Sequence, residues 1–184
     1  MHINSNTKMI TLIGTPLSQS FAARMQNAAY QAAGLNFCYF YTEADGEHLR
    51  EIMDGIRCMP SFAGCAVTKP NKVRVLEYLD ELDPLCQKME ACNTVVRKAD
   101  GRLVGYNTDG DGFYLSLTRE TDIQVEHSTF FCFGAGGAGR AVCSALAYHG
   151  AKKIYVTDAF AQSSRVLVDD INRNFAPVAE LVEY

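Results

Sequence analysis

The sequence predicts an α/β protein with a mainly parallel sheet, laid out as two domains in tandem. Three observations carry that prediction. Short apolar runs that read as buried strands alternate with helical stretches of about a dozen residues, the pattern of parallel strands joined by right-handed crossovers. The turn Lys98-Ala99-Asp100-Gly101, set between two β-prone runs, adds one local antiparallel hairpin. The stretch Gly105-Tyr106-Asn107-Thr108-Asp109-Gly110-Asp111-Gly112-Phe113 joins the end of an apolar run to a helix N-cap candidate (Asn107 or Thr108), an acidic first turn, and glycines that read as flexible. Such a stretch suits a chain leaving one domain for another, and it divides the sequence into residues 1–108 and 109–184.

Taken in order, residues 9–14 form a short apolar run closed by Gly14 and predict the first strand. The loop Thr15-Pro16-Leu17-Ser18-Gln19-Ser20 leads into an alanine-rich helix over 21–33, stopped by Gly34. Residues 36–42 are aromatic and β-prone; 47–59 predict an amphipathic helix through Leu49, Ile52, Ile56 and Met59. Residues 62–68, small and apolar throughout, give the third strand. Pro70 and Asn71 open a predicted helix through Val73, Leu76 and Leu79, broken or restarted at Pro84. The hairpin strands are 92–97 and 102–106. Beyond the junction, 128–133 is an aromatic strand, 137–149 a helix ended by Gly150, 152–158 a strand and 162–175 a helix, with 178–184 as a third strand.

Composition narrows the function classes. With 17 Lys+Arg against 21 Asp+Glu, a net charge of −4 and no basic cluster, nothing favours a nucleic-acid partner. No apolar run is long enough to span a bilayer. Met1-His2-Ile3-Asn4-Ser5-Asn6 lacks the charged start and apolar core of a secretory signal. The cysteines at 38, 58, 65, 86, 92, 132 and 143 form no CxxC pair and no metal-ligand spacing. Most sit in apolar runs such as Phe130-Phe131-Cys132-Phe133, as small core residues of a reduced, cytoplasmic protein, and no metal is expected.

Open parallel sheets bind ligands at the carboxyl ends of their strands, which directs attention to the loops after Gly14, Thr68, Val95 and Tyr106. Ser18 and Ser20 offer hydroxyls close to a helix start, where capping alone would also account for them. Thr68-Lys69-Pro70-Asn71-Lys72 places two lysines and a threonine at a strand end, although plain solvation accounts for either lysine taken alone. Asn93 opens a strand, where a carboxamide is costly to desolvate unless it is hydrogen-bonded. Asp109 suits a helix first turn by dipole alone.

Together these pieces resemble the shikimate/quinate dehydrogenase family. Gly14-Thr15-Pro16-Leu17-Ser18-Gln19-Ser20, continuing to Gln26-Asn27-Ala28, is similar to the family's first substrate loop. Gly64-Cys65-Ala66-Val67-Thr68-Lys69-Pro70-Asn71-Lys72 resembles its G-x-N-V-T-x-P-x-K signature. Ala91-Cys92-Asn93-Thr94-Val95 followed by the 105–113 stretch resembles its A-x-N-T-V … G-x-N-T-D-x-x-G-F block, and Phe133-Gly134-Ala135-Gly136-Gly137-Ala138-Gly139-Arg140-Ala141 its glycine turn. The four motifs occur in order and cover nearly the whole chain.

The resemblance implies Lys72 as catalytic lysine and Asp109 as its partner, with Ser18, Ser20, Thr68 and Asn93 holding substrate hydroxyls and carboxylate. The chemistry is sensible: oxidising a ring hydroxyl by hydride transfer needs a base for the hydroxyl proton, which a lysine made less basic by its setting can be. A neighbouring carboxylate orients that ammonium and tends to keep it charged. Neutral hydrogen-bonding side chains suit a polyhydroxylated ring. The chain also departs from the family pattern. Ala22 stands where a second serine is usual, Gln19 and Gln26 replace histidines, Ala66 replaces the signature asparagine, and Lys69 adds a charge. Losing a carboxylate ligand at Ala22 leaves shikimate, quinate and other cyclic hydroxy acids open as substrates.

The strand at 128–133 runs into Gly134-x-Gly136-x-x-Gly139, then a helix, then a strand ending in Asp158. That series is the full dinucleotide fingerprint of a Rossmann domain, with pyrophosphate on the helix N-terminus. Gly134, Ala135, Gly136, Gly137, Ala138, Gly139 and Asp158 are the predicted cofactor residues. A carboxylate at Asp158 can accept from both ribose hydroxyls and repels a 2′-phosphate, which favours NAD over NADP. Family members that use NADP usually carry Asn-Arg-Thr-like residues in place of Thr157-Asp158-Ala159-Phe160, while Arg165 lies within possible reach of a phosphate.

A complete doubly wound domain has two βαβαβ halves, and only the first is expected here. Its open sheet edge is expected to be covered by another chain, as in a homo-oligomer, or by a further segment completing the fold, or else the last segment is poorly ordered. The expected function is a dehydrogenase that moves hydride between NAD(P) and a small cyclic hydroxy acid. The alternative is a non-catalytic relative that binds such an acid or a nucleotide.

Overall fold

A computed structural model describes residues 3–183. The chain divides into two compact units, one formed by Met1–Cys86 with Glu90–Tyr106, the other by Gln87–Met89 with Asn107–Tyr184.

In the first unit, β1 (Lys8–Gly14), β2 (Phe37–Glu43), β3 (Phe62–Val67), β4 (Glu81–Leu82), β5 (Thr94–Arg97) and β6 (Leu103–Tyr106) form one six-stranded sheet in the order β2-β1-β3-β5-β6-β4. Among the described residues every strand of this sheet but β5 runs in one direction. The β5–β6 hairpin is present as expected, closed at Gly101 with φ +90°. The sequence reading confined antiparallel pairing to that hairpin, yet β3–β5 is antiparallel too. The reason is placement: the reversed strand lies inside the sheet, so it opposes both of its neighbours.

Helix α1 (Ala22–Ala32) follows β1, and α2 (Leu49–Cys58) follows β2. The buried stripe of α2 is Leu49, Met53 and Ile56, spaced four and three apart as one helix face requires. Met59, placed on that stripe by the sequence reading, falls beyond the helix end and is 42% exposed. With Ile13, Val67, Val75, Val95 and Leu103, the α2 stripe forms the core of this unit.

The helix predicted after Pro70 is largely absent. Residues 69–73 are turn, and only Arg74–Tyr78 coil, as a 3-10 helix with Val75 buried. The sheet takes the rest: Asp80 N–H donates to Leu103 O at 2.9 Å and Asp83 N–H to Gly105 O at 2.9 Å, which draws β4 onto the edge beside β6. Tertiary pairing here overrides helical spacing. Pro84 then opens the short helix α3 (Pro84–Met89).

The second unit contains α4 (Thr108–Glu120), β7 (Thr129–Phe133), α5 (Gly137–Tyr148), β8 (Lys153–Thr157), α6 (Ala161–Asn174) and β9 (Ala179–Leu181). Its strands are parallel in the order β7-β8-β9, the βαβαβ arrangement predicted. The predicted third strand is β9; Tyr184 lies outside the described residues. Val125, Cys143, Leu146, Ile154, Val156, Leu167 and Ile171 form the core. At the β7 edge, Phe130 and Cys132 pack on that core, while Phe131 and Phe133 face outward, 49% and 79% exposed.

Gly110 is not the flexible hinge the sequence suggested. It is buried inside α4, where an added Cβ would lie 2.8 Å from Ala145 Cβ and 3.0 Å from Ala141 O. It lets α4 and α5 approach closely. All seven cysteines are free; Cys65, Cys86, Cys92 and Cys143 are buried as expected, whereas Cys58 is exposed at the end of α2. Among the described residues no helix is long and apolar enough to cross a membrane.

Candidate functional sites

In the first unit, one edge of the sheet collects the carboxyl ends of β1, β3 and β6 and, because β5 is reversed, the amino end of β5. The loop after Val95 therefore leaves toward the opposite edge, and the residue of interest there is Asn93, which precedes the strand. Backbone bonds bring the four segments together. Asn93 N–H donates to Tyr106 O at 3.1 Å, and Asn93 O accepts from Val67 N–H at 2.8 Å. Thr68 N–H reaches Ile13 O at 2.9 Å, Thr15 N–H reaches Lys69 O at 3.1 Å, and Cys92 N–H reaches Lys72 O at 2.8 Å. Thr68, Lys72 and Asn93, far apart in sequence, thus sit on adjoining main-chain segments, each half-buried.

Gly14 makes the close approach possible. A Cβ there would lie 2.4 Å from Thr68 Cγ2 and 2.7 Å from Lys69 O. The loop carrying Ser18 and Ser20 is fixed from β2 by two side chains that the sequence reading passed over. Glu43 Oε1 accepts from Thr15 Oγ1 at 3.1 Å and from Leu17 N–H at 3.3 Å. Tyr41 donates its hydroxyl to Ser20 O at 2.7 Å and accepts from Ala23 N–H at 3.0 Å, serving the first turn of α1 from a neighbouring strand. Ser18 is exposed; Ser20 is half-buried, with Oγ accepting from Ala22 N–H at 3.3 Å. Local bonding of Ser20 at the helix start is thus realised, and it leaves the hydroxyl proton for another acceptor. Ala22 packs on Leu12, Leu17 and Tyr39.

Asn71 was also passed over. It is completely buried, with Nδ2 donating to Ala44 O at 2.8 Å. The Cys86 thiol donates to Ala91 O at 3.3 Å and the Cys92 thiol to Thr94 O at 3.2 Å; the interaction between the two thiols holds Cys92 below and Cys86 far above the ordinary thiol range.

In the second unit, Asn107 is the N-cap of α4, accepting from Asp109 N–H at 3.3 Å, and Asp109 is exposed in the first turn. The glycine turn joins β7 to α5. Gly134 has φ +103° and donates N–H to Thr157 O at 2.7 Å. A Cβ on Gly139 would lie 1.9 Å from Gly134 O, so the third glycine serves close helix–strand packing. Around Gly136 and Gly137, by contrast, nothing lies within 4 Å of a built Cβ. Gly136 caps α5 without a side-chain bond, leaving backbone N–H groups at the helix start beside that open space. This arrangement fits a dinucleotide pyrophosphate.

Asp158 directly follows β8, against this turn, accepting from Ala135 N–H at 2.7 Å through Oδ2 and from Phe160 N–H at 2.8 Å through Oδ1. Each oxygen holds one backbone N–H and keeps a lone pair for a further donor. Those bonds, Ala135 first, hold the carboxyl below its usual range and keep it charged. Cys132, under the turn, is pulled down to about 7 by the hydrogen bond from the Cys143 thiol. Among the described residues no group of His, Cys, Asp and Glu could hold a metal ion.

Residues 12–95 match the family described as the shikimate dehydrogenase substrate binding domain. Over 182 residues the chain is 37% identical to the shikimate dehydrogenase (NADP(+)) of Desulforamulus reducens, covering 99% of this chain and 62% of that relative. Among solved structures, it is similar to the shikimate 5-dehydrogenase of Listeria monocytogenes in complex with shikimate and NAD, at TM-score 0.92 and 32% identity, covering 100% of this chain and 63% of that one. It is also similar to the quinate dehydrogenase of Corynebacterium glutamicum in complex with NAD, at TM-score 0.87 and 31% identity, covering 96% and 64%. The chain thus spans less than two thirds of the length of these relatives.

Proposed function

This chain belongs to the shikimate dehydrogenase family, and from that premise we propose that it forms the substrate-binding and adenosine-binding parts of a cytoplasmic dehydrogenase acting on a cyclic hydroxy acid. One observation carries the reading. Thr68, Lys72 and Asn93, the implied substrate and acid–base residues, lie on backbone segments bonded directly to one another at one sheet edge.

The dinucleotide supplies the hydride acceptor. This chain's residues do the rest. Thr68 and Asn93, with Ser18 and Ser20, orient the ring and its carboxylate through neutral hydrogen bonds, which discriminate against analogues lacking a matching hydroxyl. As hydride leaves the ring carbon, the hydroxyl proton passes to Lys72 Nζ and the C–O bond becomes a carbonyl. Gly136 and Gly137 leave room for the pyrophosphate and, with Ala138, backbone N–H donors at the helix start; Gly134 and Ala135 shape the turn through their bonds to Thr157 and Asp158, while Gly139 keeps the turn against the helix.

NAD is proposed as the preferred form. The support is the charge of Asp158 at the adenosine end, which repels a 2′-phosphate, although the curated relatives are named for NADP(+). Calorimetric titration with shikimate, quinate, NAD and NADP, run beside a turnover assay, tests the proposal. Binding of an acid with a several-fold NAD preference and turnover is expected. Acid binding with no turnover in cofactor-saturated protein would turn the reading to a non-catalytic binding relative.

A further inference from the structure

The main chain of Lys72 lies in a turn, outside any helix or strand, where a side chain has little to fix its origin. Bonds on both sides nonetheless hold it. On one side Lys72 O accepts from Cys92 N–H at 2.8 Å. On the other stands Asn71. Its Nδ2 donates to Ala44 O at 2.8 Å, its N–H to Thr68 O at 2.9 Å, and its carbonyl accepts from Val75 N–H at 2.9 Å. Ala44 N–H is itself bonded to Gly14 O at 3.0 Å, so the carboxamide ties the turn to the ends of both β1 and β2.

Fold stability alone does not call for this residue. Asn71 is completely buried, and its Oδ1 has no hydrogen-bond partner among the described residues. A buried acceptor without a donor destabilises, which offsets what the Nδ2 bond to Ala44 O contributes. A costly polar group beside a reactive one is the signature of stability traded for function.

We propose that Asn71 is a positioning residue: its bond to Ala44 O fixes the backbone from which the Lys72 side chain extends, and so the place of Nζ. This rests on the reading of Lys72 as the proton acceptor, but its test need not depend on turnover. Lysine amines in this chain are carbon-13 methylated, and the Lys72 signal is assigned by its loss in Lys72→Arg. Asn71→Leu keeps the branched side-chain shape and removes the bond; Asn71→Ala, which cannot overfill the site, repeats the measurement if the leucine variant does not fold. The expected result is a Lys72 signal displaced toward those of the surface lysines, in a variant that melts within a few degrees of the parent. An unchanged Lys72 signal in a folded variant overturns the positioning role, even if Lys72→Ala is inactive. Full turnover in Lys72→Ala overturns the base assignment instead, whatever the signal does.

Discussion

The two candidate sites are built by opposite strategies. In the first unit the functional edge is assembled from four remote segments, stitched by main-chain bonds such as Val67 N–H to Asn93 O and Cys92 N–H to Lys72 O. In the second, the glycine turn is one contiguous run of residues, held by Gly134 N–H on Thr157 O and Asp158 on Ala135 N–H. The first spreads its tolerance over several contacts and places chemistry on side chains. The second depends on two backbone positions, Gly139 where a Cβ meets Gly134 O and Gly134 with its φ of +103°. Substitutions should therefore fail differently in the two units.

The largest expected effect is Lys72→Ala. Any turnover with shikimate or quinate should fall by about 10²–10⁴-fold, the range of a lost general base, while NAD affinity by calorimetry stays unchanged. A parallel loss of NAD affinity would mean the two sites are not separable in this way. Next comes a pair of glycine substitutions. Gly139→Ala forces a Cβ against Gly134 O and should cost about 1–3 kcal/mol in thermal or chemical melts, together with nucleotide binding. Gly136→Ala, with open space around it, should fold like the parent. Equal melting of the two would remove the packing argument for the third glycine.

Smaller is Asn107→Ala, which removes the cap of α4 and should lower stability by about 1 kcal/mol, read from urea unfolding. No change would mean that α4 is held by the Gly110 contact with α5 alone. The smallest effect is a pH dependence in the turn. Asp158 has a folded pKa below its unfolded value, so its stabilisation is complete above the unfolded carboxylate pKa and fades as pH falls through the lower folded one. Hydrogen exchange at Ala135 N–H should be faster in Asp158→Ala than in the parent near neutrality, with the two converging in acid. Identical protection near neutrality would show that the carboxylate does not hold the turn.

The same contrast explains what the sequence could reveal. The glycine turn was readable because its glycines are neighbours in the chain, and their spacing states the geometry. Asn93 could be noticed as a polar residue at a strand start, but the side of the sheet it joins could not. That depends on the reversal of β5, a fact about pairing partners far away in sequence. The 70–79 segment has helical spacing and yet loses most of its helix to the sheet edge at β4, a competition that no local pattern encodes. Asn71 and Tyr41 were invisible for a related reason: a polar residue's role is set by the acceptor it meets across the fold. Gly110 was misread because flexibility and close approach call for the same residue.

The reversal of β5 also bears on the order in which the first unit folds. Pairing β5 with β6 closes only residues 98–102, whereas pairing β5 with β3 closes residues 67–93. Loop closure for the longer span costs about 1.5 kcal/mol more in chain entropy, and short-range contacts form fastest. The hairpin is therefore the cheapest pairing β5 can make, and it already sets Asn93 beside Tyr106. The edge that carries the carboxamide reaches β3 as a finished piece, and the most scattered site in the molecule begins from its most local contact.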